Sequence, residues 1–381
     1  MEYHSKKLQE SSLEMKTKVS IRLLALLTLF LMMFCFGCDV ANNATDSTEG
    51  SASDETNTEG TTEETQMEEN IAPGKFSVDL MDEQAVFENA DFRILLTSDM
   101  HHNYMETYFG LSSKGRMSAW VNAIKKEHEK RPFDLIVIMG DMSLDFWDDR
   151  WGKPADKPGG SYLNSGKSTT KEFVDNYVSK LPQDVPVFVM AGNHEQYGNA
   201  KWKEMTGNDR QGSFVLGDNL FLFLDSFAGD LDPTTHHDGA STAPDVDFIK
   251  SEMAKYPKHN VYLISHWFDL EKGGAEFKAI VNDPQVVALF QGHTHASTVL
   301  DLDGGYGYKK IVQTGQFSHI SSKPDDETLE ENFWGFRDLV IVGKRSVSRY
   351  IVAESKNIQF SSGSSMTNIL RQVNKVVIFN T

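Results

Sequence analysis

The residues best equipped for chemistry fall in five short clusters: Asp99-Met100-His101, Gly140-Asp141, Gly192-Asn193-His194, Ser265-His266 and Gly292-His293-Thr294-His295. In the first and last, metal-ligating types stand two residues apart. Where a strand runs out into a loop, that spacing can aim two side chains into one site. Glycine precedes the polar residue in three clusters, which permits a sharp turn and a close approach of backbone to ligand. Carboxylates, imidazoles and one amide oxygen are hard or borderline donors, suited to Mn, Fe, Zn or similar ions and not to copper(I) or iron–sulfur clusters. Singly, each has a plain structural reading: Gly-Asp is a turn, Asp99 a helix cap, His266 a structural histidine. Together, five such clusters would need five coincidences.

Each cluster closes an apolar run. Phe92 to Thr97, Leu135 to Met139, Val187 to Met190, Val261 to Ser265 and Val286 to Phe290 all read as buried strands. Between them lie faces of helical spacing: Met117, Trp120, Val121 and Ile124, stopped by Pro132; Phe173, Val174, Tyr177, Val178 and Leu181, stopped by Pro182; Val246, Ile249 and Met253; and a shorter helix around 275–281. Segments 213–216 and 220–224 read as a hairpin turned at Gly217-Asp218-Asn219. Strand-like stretches near 297–302, 310–314, 338–342 and 347–353 follow, and residues 366–377 fit a helix or a final strand. Strands alternating with helices predict an α/β fold, with the polar clusters gathered at the strands' carboxyl ends.

The set and its order resemble the calcineurin-like metallophosphoesterase superfamily, over roughly Asp91 to His319. The resemblance implies a four-layer αββα sandwich, two mixed β-sheets flanked by helices. It also implies a dinuclear centre of divalent or trivalent ions with a bridging hydroxide, acting on a small phosphate ester, mono- or diester. Asp99, His101 and His295 would hold one ion, Asn193, His266 and His293 the other, with Asp141 bridging. His194 would be the catalytic histidine, donating a proton to the departing alkoxide. Purple acid phosphatases carry a tyrosine three residues after the bridging aspartate; Leu144 stands there instead, which argues against an iron–tyrosinate site.

Around this constellation the residues divide less sharply. Trp147 and Trp151, in a Trp-, Asp- and Gly-rich loop at 145–166, and His236 and His237, in a polar loop at 227–243, are candidates to line a substrate pocket. Asp145 could accept the outer N–H of a ligand imidazole. His102 is expected to face solvent, and Glu195 to orient its loop instead of binding metal.

Charge and cysteines bound the rest. The 381 residues carry a formal net charge of −18, unevenly spread. Residues 39–70 hold ten acids and no base, whereas residues 71–381 hold 32 bases against 42 acids. That balance leaves no cationic footprint for long polyanions, so nucleic acid is disfavoured as a partner. Both cysteines, Cys35 and Cys38, lie near the amino terminus, so disulfides and thiolate sites play no part in the body. Lys16, Lys18 and Arg22 followed by an apolar core at 23–36 read as a bacterial secretion signal. Gly37-Cys38 resembles a lipoprotein cleavage site, with Cys38 receiving the lipid. Residues 1–38 are thus expected to be leader, 39–75 an acidic, extended tether and 76–381 the folded domain. The expected location is outside the cytoplasm, on the outer face of a membrane. Two other classes stay open: a nucleotide or phospholipid-headgroup phosphodiesterase, and a non-catalytic, metal-containing surface binding protein. The motifs leave the oligomeric state open.

Overall fold

Apolar runs of four to eight residues build two β-sheets, and the amphipathic segments between them build the helices that cover those sheets. The computed structural model describes residues 76–77, 88–103, 107–108, 111–145, 167–230, 239–302, 305–306, 309–317, 334–343, 345–352 and 377–380. In chain order the strands are β1 (Phe76–Ser77), β2 (Phe92–Thr97), β3 (Thr107–Tyr108), β4 (Leu111–Ser112), β5 (Leu135–Met139), β6 (Val187–Met190), β7 (Gly212–Leu216), β8 (Asn219–Leu224), β9 (Asn260–Ser265) and β10 (Val286–Gln291). The last five are β11 (Val299–Asp301), β12 (Lys310–Gln313), β13 (Gly335–Val342), β14 (Arg345–Val352) and β15 (Val377–Asn380). The helices are α1 (Ser113–Lys130), α2 (Thr169–Asn176), α3 (Asn199–Thr206), α4 (Val246–Lys255) and α5 (Leu270–Val281).

One sheet has the order β1-β15-β14-β13-β2-β5-β6, the other β11-β12-β10-β9-β8-β7, and β3 and β4 form a small separate pair. Both large sheets are mixed. In the first, β2, β5 and β6 run parallel while β13 pairs antiparallel with β2. In the second, β8, β9, β10 and β12 run parallel, with β7 and β11 antiparallel at the edges.

Side chains alternate between two interiors. Ile94 and Leu96 of β2 face the second sheet, where they join Phe221, Phe223, Tyr262, Ile264 and Phe290. Leu95 points the other way, into a cluster with Trp120, Phe173 and Trp202 from α1, α2 and α3. On the far side, Leu222, Leu263 and Leu289 pack against Ile249, Phe277 and Val281 of α4 and α5. The result is four layers, helix–sheet–sheet–helix, as the period-two pattern of the strands demands.

Most elements fall where the apolar pattern places them; the short strands β1, β3 and β4 are additions, β15 starts only at the end of the expected 366–377, and three helical segments differ. The helix expected over 173–181 stops at Asn176, and a 3₁₀ turn at Val178–Lys180 carries the apolar face on. Helix α3 was not foreseen because only Trp202 and Met205 mark its buried face. Helix α5 starts earlier, at an Asp269 side chain that accepts from Lys272 N, and is interrupted at Gly274 with φ 61°. Among the described residues no helix is long and apolar enough to cross a membrane. The apolar stretch 23–36, Cys38 and the acidic segment 39–75 lie outside the described residues.

Candidate metal centre

Five parallel strands deliver the polar clusters to one place. β2 ends at Asp99 and His101, β5 at Asp141 and β6 at Asn193 and His194, all from the first sheet; β9 ends at His266 and β10 at His293 and His295, from the second. The loops interlace there. Asp99 N donates to Gly140 O (3.2 Å), His101 N to Asp141 O (3.0 Å) and Gly292 N to His266 O (3.1 Å). His293 N donates to Asp99 Oδ2 (3.0 Å), and His194 N to Asp141 Oδ1 (3.1 Å). Gly140, with φ 91°, and Gly192 meet face to face: a Cβ on Gly192 would stand 2.2 Å from Asp141 Oδ1.

The backbone at this place is unusual. Among the described residues six non-glycines have positive φ, and five of them are candidate ligands: Asp99 (59°), His101 (47°), Asp141 (50°), His293 (67°) and His295 (60°). A left-handed L-residue costs about 1 kcal/mol, and such strain persists where the surroundings over-determine it, most often at functional sites. The conformation recurs at i and i+2: Asp99 and His101 share one donor group, and His293 and His295 fall in two groups, with Asp141 and His266 and with Asp99 and His101.

The side chains form three overlapping groups whose donor atoms lie within 4.8 Å of one another: Asp99 with His101 and His295, His101 with Asp141 and His194, and Asp141 with His266 and His293. Asp141 is central. Its Oδ2 faces the Nε2 atoms of His266 (3.1 Å), His101 (3.6 Å) and His194 (3.7 Å). His295 Nε2 lies 3.4 Å from Asp99 Oδ1. Asn193 Oδ1 stands 3.1 Å from His266 Nε2 and 2.9 Å from His293 Nδ1.

These donors fit a cation. His266 Nδ1 is 2.7 Å from the Met139 carbonyl, so the proton belongs on Nδ1 and a lone pair on Nε2 faces Asp141 Oδ2 and Asn193 Oδ1. Lone pairs crowded at that separation need positive charge between them. Turned over, the Asn193 amide would donate to the same partners; the orientation with oxygen inward is the one a cation favours. In the metal-free protein a proton on His266 fills this need. Burial would lower its pKa, but Asp141, Asp99 and the Met139 carbonyl raise it to about 9. Burial also works to raise Asp141, yet His266, His194 and His101 hold it well below the usual carboxylate range. His194 is lowered to about 3, by burial first and then by the neighbouring histidines, so it stands as neutral imidazole.

Several side chains work one step back. Glu195 is fully buried, and its carboxylate accepts from Asp141 N (2.9 Å), Gly192 N (2.8 Å) and Ser143 N (2.9 Å), which ties the β5 loop to the β6 loop. Arg210 is buried too. It pairs with both oxygens of Asp225 (2.7 and 2.9 Å) and donates to the carbonyls of Glu195, Tyr197 and Phe227. Nothing local in the sequence marks either long-range tie. Two expectations are corrected. Asp145 holds no ligand imidazole; it caps α2, accepting from Ser168 Oγ (2.6 Å), Thr170 N (3.1 Å) and Tyr197 Oη (2.6 Å). His102 does not face solvent; it is buried with its ring 5.4 Å from Tyr177 and 6.2 Å from Phe173.

A cavity of about 540 Å³ opens at the cluster, lined by Asp141, Asn193, His194, His293 and His295 together with Phe227 and Trp267, which lie beside His293. Trp267 was passed over although it directly follows His266. The residues expected at this wall, Trp147, Trp151, His236 and His237, lie outside the described residues.

The family model described as calcineurin-like phosphoesterase matches residues 92–297, more than half of the chain and all five clusters. The chain belongs to that family. No curated protein matches it. Solved structures that resemble this chain include GAP50, the anchor in the inner membrane complex of Plasmodium, at 12% identity and TM-score 0.44, covering 74% of this chain and 94% of that one. Wild-type Vps29 complexed with zinc, from Entamoeba histolytica, is 13% identical at TM-score 0.33, with 69% and 95% covered. A conserved uncharacterised protein of Streptococcus pneumoniae, a predicted phosphoesterase, is 10% identical at TM-score 0.29, with 69% and 90% covered. At these levels none of the three bears on the activity of this chain.

Proposed function

We propose that the protein is a metal-dependent hydrolase of phosphate esters, mono- or diesters, with a dinuclear centre. The observation that carries this is Asp141 Oδ2 facing three imidazole Nε2 atoms at 3.1–3.7 Å, inside a family of phosphoesterases. Asp99, His101 and His295 would hold one ion, Asn193, His266 and His293 the other, and Asp141 both. Bound, such ions neutralise phosphoryl oxygens and acidify water enough to attack at neutral pH. The chain's part is geometric. Glu195 fixes the Asp141 turn, the Met139 carbonyl fixes the His266 tautomer, and the left-handed backbone aims the donors without further reorganisation. His194, on the cavity wall and neutral before substrate binds, would take up a proton with the incoming phosphate and donate it to the departing oxygen.

We place the protein outside the cytoplasm, held to a membrane through a lipid on Cys38 with 39–75 as spacer. The charge distribution and the Gly37-Cys38 junction support this location.

The activity is tested on chromogenic phosphate esters. Chelation should abolish turnover and Mn²⁺ or a similar ion should restore it. Full activity in metal-free protein would refute the mechanism, and no turnover of any ester with any metal would favour the binding-protein reading.

A further inference from the structure

Above the ligand cluster, the cavity holds more room than a phosphoryl group needs, within the range of small-molecule sites. Its outer wall is aromatic. Trp267 is only half buried, and its ring lies 5.0 Å from that of His293; Phe227 flanks His266 and His293 at 5.8 and 5.9 Å. The Trp267 backbone is pinned from both sides, its N–H by Ser226 Oγ (3.2 Å) and its carbonyl by Ser265 Oγ (3.0 Å). Gly239, also on the lining, packs so close to Asn193 that a Cβ would meet Asn193 O at 2.8 Å. That contact brings the 239–241 segment over the site. Among the described residues no lysine or arginine lines the cavity itself.

We infer that Trp267 is a specificity-determining residue: it forms the stacking face for a flat, uncharged aromatic or heteroaromatic leaving group, such as a nucleoside or an aryl-methyl alcohol. An indole fixed by its backbone, partly exposed and one ring away from a ligand histidine lines the cavity where the ester's alcohol portion must lie once phosphate sits on the cluster. Such stacking is sequence-tolerant and geometry-dependent, so it rewards flatness over bulk. This inference rests on the phosphoesterase reading above.

The test compares pairs matched in leaving-oxygen chemistry: benzyl phosphate with cyclohexylmethyl phosphate, and a nucleoside 5′-monophosphate with ribose 5-phosphate. The wild type should favour the flat member by about tenfold in kcat/KM, the scale of one stacked ring. Trp267→Ala should bring both ratios close to one by lowering kcat/KM for the flat esters more than for the saturated ones, and Trp267→Phe should keep most of the preference. Preference in the first pair alone would point to aryl esters, in both to nucleosides as well. Equal kcat/KM within each wild-type pair would overturn the inference. So would a Trp267→Ala loss shared equally by flat and saturated esters, which would make Trp267 a mere support for His293. If no ester turns over, the phosphoesterase reading fails. Equilibrium binding of benzyl and cyclohexylmethyl phosphate to metal-loaded protein then decides Trp267 alone: a preference for the flat ligand lost in Trp267→Ala supports it, and equal binding refutes it.

Discussion

His194 is the residue whose role the geometry leaves most open to experiment. Its Nε2 is 3.7 Å from Asp141 Oδ2, close enough to share the ligand cluster, yet it also faces the cavity. In the proposed mechanism it is a donor to the leaving oxygen and not a ligand. His194→Ala should therefore keep its full metal content, measured by elemental analysis. It should lose rate by about 10²–10⁴-fold on alkyl esters, and far less on nitrophenyl esters that need no proton. A fall in metal content would make His194 a ligand. At this scale much was legible in the sequence, because each candidate ligand sits within a few residues of the end of an apolar run. The left-handed backbone at Asp99, His101, Asp141, His293 and His295 was not, since aspartate and histidine adopt positive φ more often than most residues but still only in a small minority of positions. Trp267 was missed for a different reason: aromatic residues beside a strand are more often core than pocket wall.

Strand ends supply the ligands, but loops hold them, and the loops are joined by side chains distant in sequence. Arg210 binds the loop after β6 to the loop after β8 through Asp225 and three carbonyls, one of them belonging to Phe227 on the cavity wall. Removing a buried cation while leaving its acid and carbonyls behind costs about 3 kcal/mol. Arg210→Ala should lower stability to denaturant by roughly that much, and it should weaken metal binding without altering any ligand. A stability change within about 0.5 kcal/mol would show the tie to be dispensable. Elements with strong period-two or helical patterns were readable, including the hairpin at β7 and β8 and the helices α1 and α4. Short α3 was not, because two large apolar residues in eight, Trp202 and Met205, make no periodic signal. Asp145 could not be read as the cap of α2 because 23 or more residues separate it from Ser168, Thr169 and Thr170.

On the scale of the molecule, the centre is where two sheets meet. The first contributes Asp99, His101, Asp141 and Asn193, the second His266, His293 and His295, so neither sheet alone holds a complete set for either proposed ion. The two-sheet, four-layer arrangement follows from strands with two apolar faces, and the resemblance carried by the five clusters supplied its topology in advance. The central claim is that Asp141 joins two ions across this seam. The direct measurement is the number of ions bound per chain when metal-free protein is titrated with Mn²⁺ or Zn²⁺ and followed by calorimetry and elemental analysis. Two ions should bind the wild type, and Asp141→Asn should lose tight binding at one or both positions. A wild type that binds a single ion or none, or an Asp141→Asn protein that still binds two with unchanged affinity, would contradict the account.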